Sequence, residues 1–109
     1  MNIIKKTEIF DEWLNTLRQK NRMLSQRVSQ RIRRMSMGNL GDVKSVGGKV
    51  SEARIFSTPA LRLYFTVVDQ IVIILLCGGD KSSQQSDIEK AQNLAAQIFE
   101  DMKNEDKID

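Results

Sequence analysis

The first third of the chain has the hydrophobic spacing of two amphipathic helices. From Glu8 onward, apolar residues recur at about every third or fourth position: Phe10, Leu14, Leu17, Leu24, Val28, Ile32 and Met35. This is the period of helices that bury one face. We predict two helices joined near residues 20–21, with the second ending before Gly38, because glycine adopts the left-handed conformation after a helix at little cost. Ile3 and Ile4 predict a short first strand.

The following part of the chain changes to a period of two. Residues 61–67 alternate between two kinds of side chain, which predicts a strand with two different faces. Residues 50–56 predict a strand before it, and the pair is expected to form a hairpin across residues 57–60. In the run 71–77 both the odd and the even positions are apolar, so both faces of a strand would be apolar. This predicts the central strand of the sheet.

A C-terminal helix follows the apolar run. Ser86 and Glu89 have the spacing of a capping box, in which each side chain satisfies a backbone amide of the first turn. The helix that they start would bury Ile88, Ala91, Leu94 or Ala95, Ile98 and Met102. We therefore predict one domain over residues 1–103 and a polar tail over 104–109.

The amino-acid composition argues against a membrane protein, a cysteine nucleophile and a zinc site. With 109 residues the chain is long enough for one modest core. It has no apolar stretch of membrane-spanning length and no signal core, so a cytoplasmic location without membrane contact is expected. Cys77, the single cysteine, lies in the apolar run and is interpreted as a small buried hydrophobe rather than a nucleophile. The absence of histidine argues against a zinc site, and no cofactor is predicted.

Charge is distributed unevenly. Residues 1–54 contain twelve Lys and Arg against five Asp and Glu, a net charge of +7, whereas residues 55–109 contain five against nine, a net charge of −4. No acidic residue occurs between Trp13 and Gly41, where the basic residues are Arg18, Lys20, Arg22, Arg27, Arg31, Arg33 and Arg34. Such a segment attracts a polyanion. Arg27, Arg31 and Arg34 are expected along one edge of the apolar stripe, where they would either bind a nucleic acid or form a solvated helix face.

Six short motifs occur in a fixed order. They are Phe10-Asp-Glu-Trp-Leu14, Arg31-Ile-Arg-Arg34, Gly38-Asn-Leu-Gly-Asp-Val43, Val50-Ser-Glu-Ala-Arg-Ile55, Leu61-Arg-Leu-Tyr-Phe65, and Gly78-Gly-Asp-Lys-Ser82 followed by Asp87-Ile-Glu-Lys90. With these motifs, residues 3–102 resemble the RelE/ParE toxin superfamily, specifically the HigB-like, phage-derived addiction-module killer proteins. One turn departs from the family: Phe56-Ser-Thr-Pro-Ala60 replaces a turn that usually has a His or Tyr and a Gly-Pro-Gly.

The resemblance implies an α+β fold, in which two N-terminal helices and one C-terminal helix pack on a small, mainly antiparallel sheet. It implies the toxin of a type II toxin–antitoxin module, an endoribonuclease that cuts mRNA on the ribosome without a metal. The expected partners are the ribosome with its mRNA and a helix-turn-helix antitoxin, through which alone the toxin would reach operator DNA. The alternatives are a ParE-like gyrase inhibitor and an inactive homologue that acts as a co-repressor.

Two arginines are the first candidates for the catalytic site. Cleavage of RNA through attack by a 2′-hydroxyl requires positively charged side chains that contact the scissile phosphate. Because the chain has no histidine, an imidazole acid–base pair is impossible. If the hairpin loop has an odd number of residues, Arg54 faces Arg62, and the two repel unless an anion or Glu52 lies between them. An even loop would instead set Arg54 opposite Leu63. A facing pair is either a compensated ion network or a phosphate clamp. The resemblance favours the clamp, with Lys81 as general acid or third phosphate contact.

Other residues near this pair are open to two interpretations. Asp80 either holds Lys81 in place or caps the turn. Tyr64 either stacks on an RNA base or packs under a helix with its hydroxyl tethered. Lys44 and Lys49 flank Gly47-Gly48 in what reads as a flexible loop, from which they would reach the RNA backbone. Trp13 is expected in the core rather than as a platform for a base.

Overall fold

The computed structural model describes residues 1–106. Within that range the elements, in chain order, are β1 (Ile3–Lys6), α1 (Glu8–Lys20), α2 (Arg22–Ser36), β2 (Val43–Gly47), β3 (Val50–Ile55), β4 (Leu61–Val68), β5 (Val72–Asp80) and α3 (Gln84–Asp106). A 3₁₀ turn, Lys81–Ser83, joins β5 to α3. The five strands form one sheet in the order β1-β5-β4-β3-β2, and its pairs are antiparallel except for β1 with β5. The predicted α+β layout is confirmed.

Local hydrogen bonds set the limits of the two N-terminal helices. Thr7 caps α1, because its hydroxyl accepts from the Phe10 amide at 3.0 Å. Asn21 separates the helices: its side chain accepts from the Leu24 amide at 3.1 Å and so caps α2. Gly38, with φ of +99°, follows the end of α2, and its amide donates to the Met35 carbonyl. The predicted joint and stop are both confirmed.

Both faces of the sheet are covered. The face toward α1 and α2 contributes to an apolar core of Phe10, Leu14, Leu24, Val28, Met35, Ala53, Ile55, Leu61, Leu63, Phe65, Ile73 and Leu75. The face toward α3 contributes to a smaller cluster of Val50, Tyr64, Leu76, Cys77, Ala91 and Ala95. Cys77 is buried, as predicted, and burial raises the pKa of its thiol to about 12, with a further contribution from the Asp87 charge.

The strand predictions need two corrections. Residues 72–77 of the apolar run form the first part of β5, but the central strand is β4, because β5 and β1 lie on one side of it and β3 and β2 on the other. The predicted flexible loop around Gly47-Gly48 is a β-hairpin, in which β2 pairs with β3 and Lys44 lies opposite Glu52. The sequence pattern missed β2 because its few apolar residues lie at an edge of the sheet.

The C-terminal helix also begins and ends differently from the prediction. It starts at Gln84, before the proposed capping box, and the Ser86 hydroxyl donates to the Ser83 carbonyl instead of capping. Asp80 supplies the cap of the preceding 3₁₀ turn. The helix extends to Asp106, so residues 104–106 of the predicted tail are helical, whereas 107–109 lie outside the described residues.

Candidate functional site

Strand register brings the candidate residues into one row. The loop between β3 and β4 covers residues 56–60, an odd number, and Arg54 pairs with Arg62. Arg62 pairs in turn with Gly79 on β5. The row Arg54–Arg62–Gly79 therefore crosses three strands at the end of the sheet where the chain leaves toward Lys81. It lies at the N-terminal end of α3, whose first residue, Gln84, reaches back to the adjacent Glu52.

Glu52 is the centre of a buried polar cluster beside this row. The residue has no exposed surface. Its Oε1 accepts from the Tyr64 hydroxyl at 3.2 Å and from the Gln84 amide at 2.9 Å. Arg62 Nε lies 3.0 Å from Oε1, and Lys44 Nζ lies 3.5 Å from Oε2. A buried carboxylate needs such partners, and here they come from β2, β4 and α3, so Glu52 joins three elements to β3.

Arg62 keeps unused hydrogen-bonding capacity. Its side chain is 10% exposed, and its Nε forms an ion pair with Glu52 without the alignment of a hydrogen bond. Within residues 1–106, its buried Nε and Nη1 have no hydrogen-bond partner, and neither does Glu52 Oε2. Buried polar groups are usually satisfied, and Nη1 is a buried donor of Arg62 that neither a hydrogen bond nor the Glu52 ion pair uses.

Arg54 is the exposed member of the row. Its side chain is 44% exposed and its Nε donates to Asp42 Oδ2 at 3.2 Å. The two opposed arginines are thus neutralised separately, Arg54 by Asp42 and Arg62 by Glu52. This geometry is that of the compensated ion network.

Asp80 does not hold Lys81. Its Oδ1 accepts from the backbone amide and the hydroxyl of Ser82, at 2.8 and 2.5 Å. These hydrogen bonds lower the pKa of the Asp80 carboxyl. Of the two interpretations, the structure therefore selects the capped turn. Lys81 itself is exposed, two residues beyond Gly79, and makes no ion pair within the described part of the chain.

Three of the proposed RNA contacts have intramolecular partners. Tyr64 is fully buried under α3, and burial together with the Glu52 carboxylate raises the pKa of its hydroxyl. Its ring has no surface on which a base can stack, so the packing interpretation of Tyr64 is correct and the stacking one is wrong. Lys44 is directed toward Glu52, and Lys49 places its ammonium 4.3 Å from the centroid of the Phe99 ring.

The arginines of α2 are not equivalent. Arg31 was expected at the edge of the apolar stripe but is buried, and both of its Nη atoms donate to the Arg54 carbonyl, at 2.8 and 2.6 Å. Burial, followed by the nearby charge of Arg34, lowers its pKa. Arg27 is exposed and donates to the Phe56 carbonyl at 3.1 Å, and Arg34 is exposed. Of the three arginines proposed to bind RNA, Arg27 and Arg34 are exposed to solvent, whereas Arg31 is buried.

Sequence reasoning named Glu52 as a possible partner of the two arginines but missed Asp42. Asp42 and Glu52 determine the orientation of the two arginines, and the local signal for Glu52 was its parity, which places it on the face of Arg54. Trp13 was expected in the core, and the structure agrees: its half-buried ring packs against Phe10, with centroids 5.6 Å apart, and covers Gly78.

Comparison with known proteins gives one relationship of family level. No family model matches the sequence. A protein of Haemophilus influenzae (strain ATCC 51907 / DSM 11121 / KW20 / Rd), described as "Uncharacterized protein", is 42% identical over 95 residues, which cover 87% of this chain and 94% of that protein. The chain belongs to the same family as this protein. None of the helices within residues 1–106 combines the length and the hydrophobicity needed to cross a membrane.

Proposed function

We propose that the chain is the toxin of a type II toxin–antitoxin module, a metal-independent endoribonuclease that cuts mRNA on the ribosome and arrests translation. The observation that carries this proposal is Arg62, a nine-tenths buried guanidinium with unsatisfied donors, aligned by register with exposed Arg54. The motifs that resemble the RelE/ParE toxin superfamily support the assignment to RNA, and the relative from Haemophilus influenzae adds no functional information.

In this proposal the arginines stabilise charge that develops on the scissile phosphate. Arg62 is held in place by Glu52 before any ligand arrives, so little reorganisation is needed at the moment of reaction. Arg54 binds the same phosphate from the solvent side. Lys81, exposed at the end of the row, donates a proton to the leaving 5′-oxygen. The Tyr64 hydroxyl donates to Glu52 and does not contact the RNA in this proposal. The ribosome therefore orients the mRNA.

The proposed partners follow from the same assignment. They are the ribosome with its mRNA in the cytoplasm, and a helix-turn-helix antitoxin through which the toxin would reach operator DNA. A second candidate function is that of an inactive homologue that acts as a co-repressor with its antitoxin. One observation favours it: both arginines already have carboxylate partners, which an RNA phosphate would have to outcompete.

The test is primer extension on cellular transcripts after induction of the chain. We expect new RNA 5′ ends within translated regions, and Arg54→Ala should reduce cleavage by roughly a hundredfold or more, the scale of losing one preorganised donor. Arg54 is the better probe, because it is exposed whereas Arg62→Ala leaves Glu52 buried without its cation. Arg33→Ala, at an exposed position of α2, is the matched control and should cleave normally.

Other outcomes identify the alternatives. Double-strand DNA breaks without new RNA ends indicate a gyrase inhibitor. Growth without RNA or DNA lesions, combined with antitoxin-dependent operator binding, indicates the co-repressor. Equal cleavage by wild type and Arg54→Ala, with both proteins folded, would remove the arginine row from the mechanism.

A further inference from the structure

The loop between β3 and β4 exposes an aromatic ring. Phe56 is 69% exposed, and it is the only aromatic among the large hydrophobic residues that the described part of the chain exposes. The loop lies directly after Arg54, at the end of the sheet that holds the arginine row. A phenyl ring gains by leaving water, so a ring held open at a charged site is available for a ligand.

The backbone that carries the ring is fixed on both sides. Arg27 of α2 donates to the Phe56 carbonyl at 3.1 Å, and Arg31 donates twice to the Arg54 carbonyl. The Arg54 amide donates to the Asp42 carbonyl at 3.1 Å. The segment from Arg54 to Phe56 is therefore attached to α2 and to the preceding loop. A platform fixed before binding reduces the ordering cost of recognition.

The surroundings of the ring are basic. A cavity of about 220 Å³ adjoins it, lined by Arg27, Gln30, Arg31, Arg34, Ile55 and Phe56, with no acidic residue. Arg31 is committed to the Arg54 carbonyl, which leaves Arg27 and Arg34 as the exposed cations of this lining. The ring also neighbours Arg54, whose guanidinium carbon lies over it, 5.6 Å from the ring centroid. The exposed aromatic ring therefore lies beside the cations of Arg27, Arg34 and Arg54.

We propose that Phe56 is the stacking platform for one unpaired base of single-stranded RNA, with the phosphate on one side of that base held by Arg27 and Arg34 and the next by Arg54. This inference rests on the proposed function and adds a subsite to it, next to the Arg54–Arg62 row. Single strands are commonly held by basic grooves that carry aromatic side chains, because every base has a face that can stack.

The chemistry of the ring distinguishes RNA from an acidic protein surface. The face of a phenyl ring is electron-rich, so it attracts cations and planar bases but not carboxylates. An acidic peptide would gain from the three arginines and little from Phe56. Duplex RNA keeps its bases stacked on each other and offers none to the ring.

Fluorescence anisotropy with a labelled oligouridylate and the isolated chain tests this subsite without any need for cleavage. Phe56→Ala should weaken binding roughly five- to 100-fold, the range measured for loss of one base-stacking contact. Phe56→Tyr should retain affinity, and Phe56→Leu, apolar but without an aromatic face, should behave as Ala. Ile71→Ala, at an exposed apolar position in the β4–β5 turn, is the control and should bind as wild type.

Salt dependence separates stacking from phosphate binding. Phe56→Ala should leave the slope of log affinity against log salt unchanged, whereas Arg34→Ala should reduce it by about one phosphate contact. Poly-glutamate and duplex RNA serve as competitors whose affinity Phe56→Ala should not alter. Two results would overturn the stacking subsite and point to an acidic protein partner. One is that Phe56→Leu binds oligouridylate as tightly as wild type. The other is that Phe56→Ala loses as much affinity for poly-glutamate as for oligouridylate.

The two proposals fail in different ways. Cleavage of translated mRNA by wild type, together with RNA binding that does not depend on Phe56, removes the subsite and keeps the endoribonuclease. Phe56-dependent binding of oligouridylate without cleavage on ribosomes keeps the subsite and removes the endoribonuclease.

Discussion

The two faces of the sheet bury different kinds of side chain. Toward α1 and α2, the buried residues are mostly apolar and include Phe10, Leu63 and Phe65, although α2 also buries Ser25 and Arg31. Toward α3, the sheet buries charge: Glu52 and Arg62 lie among Tyr64 and the apolar residues that α3 covers. Apolar burial is nondirectional and holds the fold together. Each buried polar group requires a particular partner at a particular distance, so the α3 face is suited to position functional groups.

The two faces also differ in that α3 approaches β5 closely at Gly79. Gly79 lies in the arginine row, and a Cβ at this position would clash with Asp87 Oδ2 and lie 2.7 Å from Ser83 Oγ. The Ser83 hydroxyl donates to the Asp87 carboxylate at 2.6 Å. The absence of a side chain at Gly79 therefore lets the first turns of α3 lie directly on β5 beside Arg62.

The largest expected effect is on the apolar face. Phe10 has no exposed surface, so Phe10→Ala should lower the free energy of unfolding by about 3–5 kcal/mol through lost burial and the cavity left behind. Urea denaturation measures this loss. Met23→Ala, at a position that is 74% exposed, is the control and should stay within about 0.5 kcal/mol of wild type. Similar small losses for both would mean that the α1 and α2 face does not dominate stability.

On the face toward α3, we expect a smaller loss of unfolding free energy and strong coupling between Glu52 and Arg62. Glu52→Gln should cost about 1.5–3 kcal/mol, because it replaces charged hydrogen bonds with neutral ones and leaves Arg62 buried without a counterion. Adding Arg62→Gln to Glu52→Gln should cost much less than the sum of the single changes, as expected for groups in direct contact. A double-mutant cycle in urea measures this. Additive losses would show that the two side chains act independently.

The smallest expected effect concerns the turn that leads from the arginine row into α3. Asp80→Ala should cost about 1 kcal/mol at neutral pH, because it removes the cap that accepts from Ser82. Asp80→Asn keeps an acceptor without titrating. Since the hydrogen bonds depress the folded-state pKa, the contribution of the charged carboxylate is present above the ordinary pKa of 3.8 and is lost as pH falls through the lower folded-state value.

Thermal melts of wild type and Asp80→Asn at stepped pH check this sign. The stability advantage of wild type should shrink on going from pH 5 toward pH 2. A difference that is constant over this interval would mean that the Asp80 charge does not contribute.

The sequence predicted more of the fold than of the site. The helical spacing from Phe10 to Met35 could be read directly, because it depends on local periodicity. The register of the hairpin was left open between an odd and an even loop, and the structure has the odd loop 56–60, which pairs Arg54 with Arg62. The start of α3 was misplaced, since Ser86 and Glu89 match the local pattern of a cap while the chain is already helical from Gln84. Asp80, the residue that caps the preceding turn, was weighed as a capping residue without being connected to the helix.

The sequence alone determined the features that depend on neighbouring residues: helix period, strand alternation and charge asymmetry. Only the tertiary structure decided which polar residues meet. It buried Tyr64 and Arg31, paired Glu52 with Arg62 and left Phe56 in solvent beside Arg54. The reason is physical: period and turn length act over a few residues, whereas burial of a charge depends on partners brought from distant strands and helices.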